Sequence, residues 1–217
     1  MDVKFCGDQA LIIDLNEADA QAVQGTVLDA VLSLNSSVLA QELPGVVDTI
    51  PAAQTLLVTF DPRQTSLGQL KEQLSGIELA QHSAAQAQVQ DIIEIPVIYN
   101  GPDLEAVAQH TQLSVAEVKK AHGEMLWTAA FGGFAPGFYY LVPQSPLWDI
   151  PRLESPRTKI PAGSVAVAGE FSAVYPQQSP GGWQLLGSTP FAMWDIDRAQ
   201  PSLLKSGDSV RFVEVNS

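Results

Sequence analysis

With a single cysteine, Cys6, the 217-residue chain can form no intrachain disulfide. Nothing in it points to an oxidising compartment. Positive charge is scarce as well: 11 Lys and Arg stand against 24 Asp and Glu, for a formal net charge of −13. A phosphate backbone repels such a surface, which sets nucleic acid aside as a partner. A membrane rich in anionic lipid is disfavoured for the same reason. No apolar run approaches the roughly 20 residues that span a bilayer. Asp2, Asp8 and Asp14 interrupt the apolar residues of the N-terminus, where the core of a signal peptide would keep them together. A cytoplasmic protein is expected. The histidines His82, His110 and His122 and the lone cysteine fall at no ligand spacing, so no metal site is expected. There is no GxGxxG and no Walker A motif, and GEFSAV is not a G-x-S-x-G elbow. A self-contained hydrolase or kinase site is not visible.

What is present is a globular composition, 46% hydrophobic and 16% charged. The first part reads as a small α+β layer. ALIIDL (10–15) is a strand, and Cys6 just before it is expected to be a buried strand residue. Ala22, Val23, Val27, Leu28, Val31 and Leu32 recur at helical spacing, predicting one helix over 17–34 with Asn16 as its N-cap. Strands follow at 46–50 and 55–60, then a helix at 67–74, with Asp8 and Asp48 read as turn residues. The Ala- and Gln-rich stretch 75–90 is a frayed helix or a linker, and a domain boundary is placed near its end, giving domains 1–90 and 91–217. Residues 1–92 hold 12 acids and 3 bases, net −9, whereas 93–217 hold 12 acids and 8 bases, net −4. The second part is therefore where an anion could be met.

That part opens with a strand, IIEIPVIY (92–99), and a helix starting at Asp103, whose charge suits the N-terminal dipole. A second helix is capped by Ser114, with Glu117 completing a capping box. Beyond Met125, short strands alternate with Gly and Pro turns, FAMWDI (191–196) among them, which suggests a barrel or sandwich.

Three loops there stand out: FGGFAPGFYYL (131–141), PRLESPRTKIPAGSV (151–165) and VYPQQSPGGWQLLGST (174–189). Glycine lets backbone approach a ligand and frees N–H groups to meet an oxygen. Proline stiffens such loops and lowers the entropy lost on ordering them. Arg152 and Arg157 can each clamp a carboxylate or phosphate with two parallel hydrogen bonds, and Lys159 adds a point charge. A small anionic substrate fits that pattern. A plainer reading stands beside it. Glu154 lies between the arginines and can pair with one of them, glycine and proline punctuate any barrel, and aromatic residues such as Phe134 and Trp183 serve cores more often than binding platforms. His122 likewise reads either as a helix C-terminal residue facing its dipole or as an acid–base group.

At these loops the sequence resembles the 5-oxoprolinase B subunit (PxpB) family, also called allophanate hydrolase subunit 1 or KipI. The matching words run in the family's order: GDQALII, GVVDTIPAAQTLLVTFDP, IPVIYNGPDLEAVA, LSVAEVKKAH, GFAPGFYYL, PRLESPRTKIPAGSVAVAG, VYPQQSPGGWQLLGSTP and LLKSGDSVRFV. The resemblance implies an α+β fold, a small α/β N-terminal domain followed by a cyclophilin-like β-barrel domain. It implies ATP-dependent opening of 5-oxoproline to glutamate, with ATP as co-substrate bound with the partner protein. The implied partners are the C subunit (allophanate hydrolase subunit 2-like) and a LamB/YcsF-like third protein, the A subunit. The motif positions carried over are His122, Phe134, Pro136, Gly137, Arg152, Arg157, Lys159, Pro161, Gly163, Tyr175, Gly181, Gly182 and Trp183. On this reading Arg152, Arg157 and Lys159 bind the carboxylate of 5-oxoproline or an ATP-derived phosphate. Amides near Gly137 and Gly181–Gly182 hold a developing oxyanion, and His122 shuttles a proton or positions the substrate. No residue stands out as a nucleophile, which suits a site shared with another chain. Trp127 and Gly132 depart from the family's pattern, and a Trp at 127 is similar to the urea carboxylase branch. A KipI-type histidine kinase inhibitor and an allophanate- or urea-processing component are the alternatives.

Overall fold

Alternation and capping shape the first half. The computed structural model describes residues 1–77, 79 and 92–216, and the chain separates into two compact units, Met1–Val89 and Gln90–Ser217. Strands β1 (Asp2–Phe5), β2 (Ala10–Asp14), β3 (Val46–Pro51) and β4 (Thr55–Phe60) form an antiparallel sheet in the order β1-β2-β4-β3. Leu11, Ile13, Leu56, Val58 and Phe60 point every second residue into a core with Leu34, Leu70 and Leu74. Helices α1 (Glu17–Val23), α2 (Val27–Ala40) and α3 (Leu67–Ser75) supply the other side of that core, and each begins with a complete capping box, at Asn16/Asp19, Thr26/Asp29 and Ser66/Gln69.

Three expectations are corrected here. The single helix over 17–34 is two, because Gln24 turns left-handed (φ 57°) and Thr26 starts a new helix. Cys6 lies outside β1 and is exposed, so it packs in no core. Asp48 lies within β3, where the pairing with β4 shifts register, and not in a turn. The stretch read as frayed helix or linker lies, apart from residues 75–77 and 79, outside the described residues. No single helix among the described residues is long and apolar enough to cross a membrane.

The second unit is a barrel. Strands β5 (Ile93–Val97), β6 (Trp127–Gly132), β7 (Tyr139–Pro143), β9 (Ser164–Ala168), β10 (Phe171–Val174), β12 (Gln184–Ser188) and β13 (Ser209–Glu214) form one sheet in the order β12-β9-β10-β7-β6-β13-β5. Only β5 and β13 pair in parallel. The sheet meets itself where Ile98 and Ser188 exchange two backbone hydrogen bonds of 2.9 Å. Two glycines make that seam possible. A Cβ on Gly101 would stand 2.1 Å from the Leu185 carbonyl oxygen, and one on Gly187 2.3 Å from that of Ile98. Helices α4 (Leu104–Thr111) and α5 (Val115–Glu124) bury Val107 and Val118 in the same core as Trp127 and Phe212. Ser114 and Glu117 form the expected capping box of α5. Strands β8 (Arg157–Ile160) and β11 (Ser179–Gly181) pair with each other as a separate ribbon. FAMWDI is not a strand: it is irregular, with an isolated Trp194–Ser202 bridge and Met193 buried in the barrel core.

Candidate functional site

The ribbon carries the arginine loop. Arg157 begins β8 and pairs across to Gly181, which is what joins the second and third motif loops. Leu153 N–H donates to the Gly182 carbonyl at 2.8 Å, and Gln184 Nε2 donates to the Pro151 carbonyl at 3.2 Å. The loop is therefore laced to the strand that follows it. Arg152 is exposed and lies over the Trp183 ring, 6.0 Å from its centroid, within cation–π reach. Neither Arg152 nor Lys159 takes part in an ion pair among the described residues, and Glu154 pairs with neither arginine.

Arg157 has a different partner. Its Nη2 donates to Asp103 Oδ1 at 2.7 Å, and the other Asp103 oxygen accepts the Leu185 N–H at 2.6 Å. Asp103 is 6% exposed. It sits at the N-cap position of α4 yet makes no capping bond to that helix. Its side chain is spent on the loop and on β12 instead. Arg157 Nη1 is buried with no hydrogen-bond partner, as is Gln184 Oε1. Asp103 is the residue that sequence reasoning missed. Asp after Gly-Pro reads as a helix start, and an ion pair spanning 54 residues leaves no local signal.

Beneath the arginines lies an aromatic floor. Phe138, Tyr175 and Trp183 are buried together with Ile160, their rings edge to face at 5.4–5.6 Å from Phe138. Burial raises the Tyr175 phenol above its ordinary pKa, against the pull of nearby Arg152, the Trp183 N–H and Arg157. Gly181 fits over that hydroxyl: a Cβ there would be 2.4 Å from the Tyr175 oxygen and 2.8 Å from Ile160 Cδ1. Gly181→Ala is expected to cost ~1–3 kcal/mol, read by urea unfolding; a neutral result would show that the floor yields. Phe134 stands at the rim, 60% exposed, with a left-handed backbone (φ 65°) and its ring against Phe138 and Tyr175. Pro136 is exposed beside it. The amides of Gly137 and Gly182 donate to no partner among the described residues. Gly137 (φ 81°) packs against Met193 and Trp194, and Gly163 (φ 79°) against the Thr189 carbonyl, so both are tied to the 189–194 segment.

His122 does not join this group: it lies in the barrel core and not beside the arginines. The ring is fully buried on α5, stacked on Phe212 at 4.4 Å. Tyr99 Oη lies 2.8 Å from Nδ1, Nε2 lies 2.9 Å from Ser172 Oγ, and Ser172 Oγ donates to the Ala166 carbonyl at 3.3 Å. With Ser172 donating onward, the consistent assignment has Nε2–H donating to Ser172 and Tyr99 donating to Nδ1. Burial brings the pKa down to about 3. Between that value and the ordinary ~6.5 the unfolded chain binds a proton that the folded one refuses. Stability should be full above about pH 6.5 and fall as the pH drops toward 3. His122→Gln cannot take the proton and should flatten the slope of urea unfolding between about pH 7 and pH 4; an unchanged slope counts against a buried neutral imidazole. Trp127 is buried too, donating from Nε1 to the His122 carbonyl at 3.1 Å. Its departure from the family's pattern is a matter of core packing and not of the loop site. Among the described residues, no group of three or more His, Cys, Asp or Glu side chains is placed to hold a metal ion.

A barrel bearing a cationic, glycine-lined ribbon, preceded in sequence by a small α/β unit, defines a class. Residues 1–204 match the family model described as carboxyltransferase domain, subdomain C and D. The crystal structure of TTHA0988 superposes with a TM-score of 0.77 at 36% identity over 96% of this chain, which spans 41% of the TTHA0988 chain. The Kluyveromyces lactis urea amidolyase shares the fold, with a TM-score of 0.74 at 18% identity over 98% of this chain and 15% of its own. The particular family is given by sequence. The 5-oxoprolinase B subunit of Bacillus subtilis is 37% identical over 231 aligned positions, covering 99% of this chain and 92% of that protein. The chain belongs to the 5-oxoprolinase B subunit family.

Proposed function

We propose that this chain is the B subunit of an ATP-dependent 5-oxoprolinase complex, converting 5-oxo-L-proline to L-glutamate together with its partners. The partners assigned are the C subunit and the LamB/YcsF-like A subunit, and the two domains are 1–90 and 91–217. One observation carries the reading. In a chain of net charge −13, exposed Arg152 has no acidic partner among the described residues, stands over Trp183 and acts on Tyr175 as Arg157 does. Such a wall suits the carboxylate of 5-oxoproline, with the ring against the exposed Phe134 rim.

The work assigned to this chain is binding and orientation. Arg152 and Lys159 supply charge, and the Gly137 and Gly182 amides are the donors assigned to a developing oxyanion. ATP is the co-substrate of the complex and is assigned to the partner side, because this chain has no phosphate-cradling Gly-rich motif. His122 takes no part. Trp127 does not favour a urea derivative, since it is buried in the barrel core. The test is ATP consumption by the reassembled complex offered 5-oxoproline or urea. Consumption driven by 5-oxoproline alone is expected; consumption driven by urea would overturn the substrate assignment.

A further inference from the structure

The sheet of the first unit has a second face. Leu11, Ile13, Leu56 and Val58 turn inward to the core, so their neighbours Ile12 and Leu57 turn the other way. The register sets Ile12 opposite Leu57, and Leu57 opposite Ile50. Three aliphatic side chains therefore stand in one row across β2, β4 and β3. None of them belongs to the core or packs against it. Ile50 is 44% exposed, and Val47, in the bulge of β3, is 69% exposed. Beside the row lies an open pocket of about 720 Å³, to which Asp8, Ala10, Val47 and Thr59 contribute. Asp8 and Asp48 are exposed and form no ion pair among the described residues. The rest of the unit narrows what can cover this face. Strand addition at the β3 edge is hindered, because Asp48 Oδ1 takes the Thr49 N–H at 2.8 Å and Pro51 has none to give. Residues 1–92 carry net −9, so a second copy would meet like charge. The bases of the unit are engaged within it: Lys4 by Asp2 and Asp14, Arg63 by Asp61, and Lys71 over the Phe5 ring. An apolar row with an acidic rim suits a surface of the opposite charge.

We propose that the outer face of this sheet docks a partner protein that has an apolar ridge and a basic rim. The ridge lies on Ile12, Leu57 and Ile50, and a Lys or Arg of the rim enters the pocket to meet Asp8. In the proposed complex that partner is the C subunit, so the inference rests on that reading and adds where the partner is held. The first unit then supplies attachment, and the second supplies the anion site.

The test is calorimetric titration of the full chain with the purified C subunit at low and at high salt. The wild type is expected to bind, more weakly as salt rises. Ile50→Glu puts a charge into the apolar row and should lower affinity about 10-fold or more. Asp8→Lys should lower it by about 10-fold and flatten the salt dependence. Glu72→Lys makes the same charge change on α3, on the helix side of the unit, and should bind like the wild type. All three positions are exposed, and urea unfolding checks that each variant keeps its fold. Equal losses in Asp8→Lys and Glu72→Lys would mark an effect of net charge alone and overturn the surface. Unchanged affinity in Ile50→Glu would overturn it too, while the functional reading would stand on a complex that still forms. Self-association of the wild type that Ile50→Glu abolishes would give the face to a second copy and overturn the partner assigned. No binding by the wild type would remove the surface and the functional reading together.

Discussion

Arg152→Ala combined with Arg157→Ala is expected to lower kcat/KM of the assembled complex for 5-oxoproline by roughly 10²- to 10⁴-fold. Each charge-assisted hydrogen bond to a bound carboxylate is worth ~1.5–3 kcal/mol, and two lost together give a factor of that order. The single changes should differ in kind. Arg152 is exposed and forms no ion pair among the described residues, so its removal should leave stability nearly unchanged while weakening substrate binding. Arg157 is paired with buried Asp103. Removing it leaves an uncompensated buried carboxylate, which costs ~3–5 kcal/mol of stability. Activity must therefore be compared below the unfolding temperature of each variant. Wild-type turnover by the double variant would remove the loop from the site.

A comparably large stability effect is expected at the barrel seam. Gly101→Ala places a methyl carbon 2.1 Å from the Leu185 carbonyl oxygen and 2.4 Å from the Leu186 carbonyl carbon, both backbone. No rotamer can relieve a clash with main chain, so either the Ile98–Ser188 bridge opens or the 98–103 segment lifts off β12. The second course also disturbs Asp103 and, through it, Arg157. A loss of ~3 kcal/mol or more is expected, at the upper end of overpacking costs. All four tryptophans, Trp127, Trp148, Trp183 and Trp194, lie in the second unit. Tryptophan fluorescence in urea therefore follows that unit, and a loss under about 1 kcal/mol would show that the seam yields easily.

Local rules wrote the parts that were legible. Asn16 and Ser114 cap helices because their side chains reach amides three residues away or less, and that reach is visible in sequence. The alternation in TLLVTF became β4 because one face of its sheet is buried. The same rules explain the misses. Apolar residues on both sides of Gln24–Gly25 keep helical spacing, so the break was hidden, although Thr26 and Asp29 spelled the next capping box. FAMWDI has strand composition but no strand beside it to pair with, and composition does not report neighbours. Phe191 and Trp194 are left partly exposed as a result. His122 read equally as a dipole-facing helix end or an acid–base group, and it sits in a hydrogen-bonded core, because helix position alone does not say which face meets the barrel. The arginines were legible as scarce charge in a stiff loop. Their division of labour was not, since it depends on a carboxylate 54 residues away.

The most direct measurement is L-glutamate formed from 5-oxo-L-proline and ATP by the partner proteins, with and without this chain. The expected result is glutamate release that requires both ATP and this chain, and none from the chain alone. Equal release when the chain is left out, or none when every component and ATP are present, would contradict the account.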